Sequence, residues 1–258
     1  MVASHRRRVP VCTALYFLQP HVFLCRGKRH WVILDVNRDK YLCVDRRQFE
    51  SLGPWLHGWE DGACAPLTTT AQCERSAAKP RDDAIALAHK LLSLEILSER
   101  SDSAKCARPI AYPLPTDAID RDLPAPAHKS PCTHAPPFFL SSAKASRQLR
   151  GQAFESIVAF VRARKRRRGD SERPFDIERA HSLTCVFDKL RLFYPRSYRC
   201  LFDSLALINF LAHFNLYPDW VFGVMAEPFE AHCWVQAGGI VLNDTLERVS
   251  AFTPIMYV

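Results

Sequence analysis

The chain has 258 residues, 48% hydrophobic and 11% aromatic, with a formal net charge of +8; this length and composition favour one large or two modest domains with a real core and exclude a mostly disordered polymer. No apolar run approaches the ~18 residues of a membrane span, and the start Met1 to Val9 leads into no signal-type apolar block, so a cytoplasmic protein with no membrane partner is expected. The ten cysteines lie scattered, without a CxxC pair, which predicts reduced thiols and argues against zinc ribbons and dithiol redox sites, whose geometry needs close pairs.

In chain order, His21–Cys25, His30–Val36 and Lys40–Val44 are β-branched and aromatic runs separated by Arg26-Gly27-Lys28 and Asn37-Arg38-Asp39, the pattern of a three-stranded meander. A short helix over Arg46–Leu56 and a longer one over Arg81–Leu97 follow, the second with Ile85, Ala88, Leu91 and Leu92 at helical spacing. Between Ser98 and Pro137, prolines at 109, 113, 115, 124, 126, 131, 136 and 137 remove the backbone donors that helices and sheets require. That stretch reads as a linker, giving domains at 1–97 and 138–258 joined by 98–137. Helical patterning returns over Ser142–Arg150, Ala153–Arg164 and Phe175–Phe193. Nearly all the positive excess sits in residues 144–173, with ten basic and three acidic side chains, densest at Arg162, Arg164, Lys165, Arg166, Arg167 and Arg168. A solvated helix end or loop is the expected role of that run, with no nucleic-acid partner.

The chemistry concentrates near the C-terminus. Cys200 opens a segment, Leu201 to Phe214, that is apolar around nearly its whole circumference and reads as a buried central helix. A thiol at a helix start feels the positive end of the dipole and unpaired N–H groups, which lower its pKa and can also hold an oxyanion. Strands are predicted over Trp220–Met225, Ala231–Gln236 and Ile240–Asp244, with His232, Trp234 and Gln236 on one face of the second. A two-residue Gly238-Gly239 turn would set His232 opposite Thr245 and point Asp244 away. A three-residue loop, Ala237–Gly239, pairs His232 with Asp244, and it is the loop expected here, with glycine at its left-handed third position. Asp244 would then orient His232, which takes the proton of Cys200 and returns it to a leaving amine through a thioester intermediate. Cys233 reads as core packing.

The runs Cys200-Leu201-Phe202-Asp203-Ser204-Leu205-Ala206-Leu207, Pro228-Phe229-Glu230-Ala231-His232-Cys233-Trp234-Val235, Leu242-Asn243-Asp244 and Phe252-Thr253-Pro254-Ile255 closely resemble the lasso-peptide biosynthesis B protein family. Cys233 stands where alanine is common in that family and Gln236 where glutamate is common. The N-terminal part is similar to that family's precursor-recognition domain through Pro20-His21-Val22 and the Leu34-Asp35-Val36 to Tyr41-Leu42 spacing. The resemblance implies an α+β protein, with a winged-helix-like recognition domain followed by a transglutaminase-like (papain-like) cysteine peptidase. It implies a leader peptidase that hands the freed precursor to an asparagine-synthetase-like cyclase. The leader would add a strand along Lys40–Val44 against the Arg81–Leu97 helix, touching Asp35, Lys40, Tyr41, Leu42, Val44, Leu87 and Leu91. ATP dependence would enter through the cyclase, since no GxxxxGK[ST] cradle is present and no bound cofactor or metal is expected. Acyl transfer by the same triad, and a non-catalytic precursor-binding scaffold, are the alternative expectations.

Overall fold

A computed structural model describes residues 16–59, 82–100, 105–120, 131–169 and 175–258. It divides into two compact units, Met1–Asp35 with Tyr41–Pro109, and Val36–Lys40 with Ile110–Val258.

In the first unit, β2 (Val22–Arg26), β3 (His30–Asp35) and β4 (Lys40–Asp45) form a sheet in the order β2-β3-β4, matching the meander predicted from turn residues and alternation. Asp45 ends β4 and caps α1 (Arg46–Leu52), its carboxylate accepting from the backbone N–H groups of Arg47 at 2.9 Å and Gln48 at 3.2 Å. The longer helix, α2, runs Asp82–Ser93 and stops short of the predicted Leu97. Glu95 takes a positive φ of 52°, and Leu97–Ser98 leaves to form β5, paired antiparallel with β1 (Phe17–Leu18). Leu24, Trp31, Ile33, Phe49, Leu52, Leu87 and Leu91 share the core of this unit.

The second unit takes up the chain again at Ile110, inside the stretch predicted as linker. Ala107 is buried in the first core. By contrast, Tyr112 donates to Asp219 at 2.9 Å, and β6 (Asp117–Ala118) pairs parallel with β9 (Ile240–Val241). As an edge strand only two residues long, β6 tolerates the prolines around it. The expectation that proline precludes helix up to Pro137 is overturned, because α3 spans Pro131–Gly151. Pro131 occupies the first position, where a missing N–H costs nothing. Pro136 and Pro137 remove hydrogen bonds only near the start of a 21-residue helix, leaving the remaining turns intact.

Three helices follow: α4 (Phe154–Gly169), α5 (Ile177–Arg191) and α6 (Cys200–His213). Asp176 caps α5 through the N–H of Arg179 at 3.0 Å. Burial at nearly every position from Phe202 to Leu211 makes α6 the central helix expected from its apolar circumference, packed on α3 and β8 (Phe229–Ala237). The sheet order is β10-β7-β8-β9-β6, with β7 at Asp219–Ala226 and β10 at Thr253–Tyr257; the short helix α7 (Leu246–Ser250) precedes β10. Among the described residues no helix is long and apolar enough to cross a membrane.

Candidate active site

Cys200 is the first residue of α6, as its place before the apolar run predicts. The preceding loop is built on Arg191, whose side chain is 2% exposed. Its guanidinium donates to Asp203 at 2.5 Å and to the carbonyls of Tyr194, Arg196 and Ser197 at 3.0 to 3.3 Å. The other carboxylate oxygen of Asp203 accepts the Arg199 N–H at 2.6 Å. A buried cation satisfied this fully fixes the backbone entering the helix, and so the position of the Cys200 sulfur.

His232 lies on β8, 5% exposed, with its ring against Trp234 and Phe252 at centroid distances of 6.1 and 5.1 Å. Gly223 is its register partner on β7. A side chain there would come within 2.7 Å of Trp234 and 2.9 Å of Phe252, so only glycine lets both rings close around the imidazole.

Asp244 reaches His232, but not by the predicted register. The pairing is Ala237 with Ile240 and Gln236 with Val241, a two-residue Gly238-Gly239 turn with φ of 57° at Gly238. Positive φ at the first turn position is the type II′ requirement. In an extended ladder this register would carry Asp244 to the wrong face. Instead β9 ends at Val241 and the chain bends. Asn243 takes over from the ladder: its Oδ1 accepts the Val235 N–H at 2.7 Å and its Nδ2 donates to Ser204 Oγ at 2.9 Å, while Ser204 donates to the Cys233 carbonyl at 3.2 Å. These bonds tie the bend to both α6 and β8 and deliver Asp244 Oδ2 to His232 Nε2 at 2.5 Å. The remaining ring nitrogen, Nδ1, serves Cys200.

Cys233 is more than core packing, a second correction. Its thiol, placed to donate to Ser204 Oγ at 4.0 Å, and its backbone N–H both act on Cys200 and lower the pKa of that thiol. The Cys233 thiol donor, followed by the His232 hydrogen bond, outweighs burial and holds the Cys200 pKa down at about 4. Burial works to lower the His232 pKa, but its hydrogen bonds to Asp244 and Cys200 and their charges raise it to about 9. Burial raises the Asp244 pKa, yet His232 and the Thr245 N–H outweigh it and leave it below the usual value. Burial keeps Cys233 a neutral thiol by pushing its pKa well up. Between about pH 4 and about pH 9 the site is therefore a thiolate facing an imidazolium.

Ser204 sits one helical turn after Cys200 on the same face, a spacing visible in the sequence. The roles of Asn243, Gly223 and Arg191 had no local signal.

The structure gathers Cys200, His232 and Asp244 at one place. It does not put all seven leader-contact candidates on a surface. Asp35 is 5% exposed and faces His21 at 3.6 Å, and Leu87 and Leu91 are buried in the first core at 4% and 0%. An amphipathic helix spends its apolar stripe on its own core. Tyr41 and Leu42 are half-buried, Lys40 is exposed and Val44 is buried. Among the described residues no group of three or more His, Cys, Asp or Glu side chains converges as a metal site would.

A thiolate at a helix start, a strand-borne imidazolium and a carboxylate behind it define a cysteine acyl-transfer centre. Residues 145–257 match the family described as the transglutaminase-like superfamily, so the C-terminal part of the chain carries a transglutaminase-like domain, which contains the whole triad. Comparison with curated proteins and with solved structures gives no match.

Proposed function

We propose that the chain is a cysteine peptidase that removes the leader from a ribosomally made lasso-peptide precursor. The observation that carries the chemistry is the Cys200–His232–Asp244 arrangement, with the 2.5 Å His232–Asp244 bond behind a thiolate. The Cys200 sulfur attacks the scissile carbonyl, and backbone N–H groups at the start of α6, that of Cys200 first, stabilise the oxyanion. His232 gives its Nδ1 proton to the departing amine, the C–N bond breaks and a thioester remains. Water then gives its proton to His232 and its oxygen to the acyl carbon, releasing the acid and restoring the thiolate.

The lasso-precursor substrate rests on the resemblance of the motifs around the triad and on the sheet of the first unit, taken as winged-helix-like. β4 is the terminal strand in the order β2-β3-β4, so a leader can add beside it, with Lys40, Tyr41 and Leu42 as its side-chain contacts. The freed core passes to an asparagine-synthetase-like cyclase, which supplies any ATP dependence. Replacing Cys200 with alanine should lower precursor cleavage by roughly 10³-fold or more, with leader binding unchanged by fluorescence anisotropy. Full cleavage by that variant sinks the assignment.

The same thioester can be met by an amine, which is acyl transfer. Mass spectrometry decides: an acid product supports hydrolysis and an amide product supports transfer.

A further inference from the structure

The basic run on α4 is only in part the solvated helix end expected from its composition. Arg162 donates to the Tyr257 carbonyl at 3.5 Å, and Lys165 pairs with Asp219 and reaches the Val258 carbonyl at 3.4 Å. These two tie the helix to the last strand. Arg166 and Arg167 face solvent. Arg164 turns the other way, into a cavity of about 270 Å³ lined by Leu140, Ser141 and Lys144 of α3 and by Asn209, Ala212 and His213 of α6, among others.

This cavity is built around positive charge that no carboxylate among the described residues compensates. Arg164 is held by the Asn209 side chain at 2.9 Å and the Ile208 carbonyl at 3.2 Å, and Asn209 is fixed in turn by Gln148 at 3.1 Å. Its Nε is buried without a partner. The Lys144 ammonium lies 4.3 Å from the Phe160 ring centroid, the ring that the Arg164 guanidinium also covers at 5.4 Å. Among the described residues no carboxylate lines the cavity. Burial, then repulsion by Arg164 and Arg147, pushes the Lys144 pKa below its ordinary value, and burial does the same to Arg164. The C-terminal end of α6 contributes only about half a negative charge, against two full positive ones. Lys144 and Arg164 are half-buried, and withdrawing cations even partly from water without a counter-charge is costly; an anion in the cavity offsets that cost.

We infer that the cavity between α3, α4 and α6 is a binding site for a phosphate group, held by Lys144 and Arg164 with Ser141 at its wall. Its volume lies below the roughly 300–1,000 Å³ of sites for drug-sized ligands and leaves room for a phosphate ion or the phosphate end of a monoester. Asn209 is nine residues beyond Cys200, about 14 Å along the helix, so the site is separate from the triad.

Titration calorimetry on the full chain at fixed ionic strength, with inorganic phosphate and with phenyl phosphate, tests the assignment. One saturable site is expected, weakened at least tenfold by Lys144→Met, retained in Lys144→Arg, and unchanged when Arg166 and Arg167 are both replaced by glutamine. Tighter binding of phenyl phosphate identifies a monoester ligand and tighter inorganic phosphate the free ion; either order supports the site. If neither probe saturates, if Lys144→Met binds normally, or if the Arg166/Arg167 variant loses as much affinity, the inference is overturned. Circular dichroism of each variant separates loss of the site from loss of the fold; should Lys144→Met not fold, Ser141→Ala and Lys144→Gln are read in its place against the same tenfold criterion.

Discussion

Each unit holds an aspartate against a histidine, and the two pairs differ in what surrounds them. In the first unit, His21, just before β2, and Asp35, at the end of β3, stand 3.6 Å apart beside a sheet whose apolar residues fill one core. In the second, His232 and Asp244 are 2.5 Å apart, walled by Trp234 and Phe252, and completed by a thiol at a helix start. A histidine–aspartate contact is thus common currency of folded chains. What makes one a reaction centre is the third group and the packing that prevents the ring from turning.

The largest effect that sharpens this contrast is on the carboxylates. Asp244→Asn should lower the rate of the chemical step by roughly 10²–10⁴-fold, because the imidazolium loses its stabilising charge, whereas Asp35→Asn should leave that step unchanged. Single-turnover kinetics reads both, and equal losses would erase the distinction. Next comes the wall of the pocket. Gly223→Ala drives a methyl into Trp234 and Phe252 and should cost about 1–3 kcal/mol of stability, seen in denaturant melts, along with a fall in kcat as His232 shifts. Asn243→Ala removes two hydrogen bonds from the bend and should cost about 1–3 kcal/mol and reduce kcat more than it raises KM. Normal kcat in that variant would mean the bend holds Asp244 without it.

The smallest effects concern pH. Activity should follow a bell with limbs near about 4, where the Cys200 thiolate is protonated, and near about 9, where His232 loses the proton it must give to the leaving amine. Cys233→Ala withdraws the thiol donor that contributes most to the low Cys200 pKa, so the acid limb should move upward. Iodoacetamide alkylation of Cys200 at pH 5 should slow by roughly tenfold, and an unmoved acid limb would assign the low pKa to His232 alone.

Much of this was legible before any coordinates. The meander, the central helix and the order of strands after it follow from alternation, helical spacing and turn residues, which are local signals. Cys200 and His232 were legible because each sits at a definable place in its element, a helix start and a strand. Asp244 was identified for a reason that failed: the three-residue loop does not form, and the carboxylate arrives through a bend. A bend held by the amide of Asn243 leaves no periodic trace, since its partners, Val235 and Ser204, belong to other elements.

The sequence by itself determined the elements and the reacting residue types, because periodicity, capping and turn chemistry act over a few neighbours. Tertiary structure alone decided where the chain leaves β9 and that Cys233 faces the nucleophile. It also decided that Leu87 and Leu91 fill the core, and that one arginine of the basic run enters a cavity while its neighbours brace the last strand. Those outcomes depend on which distant groups meet, and burial and hydrogen bonding between them set both the geometry and the charge state of the site.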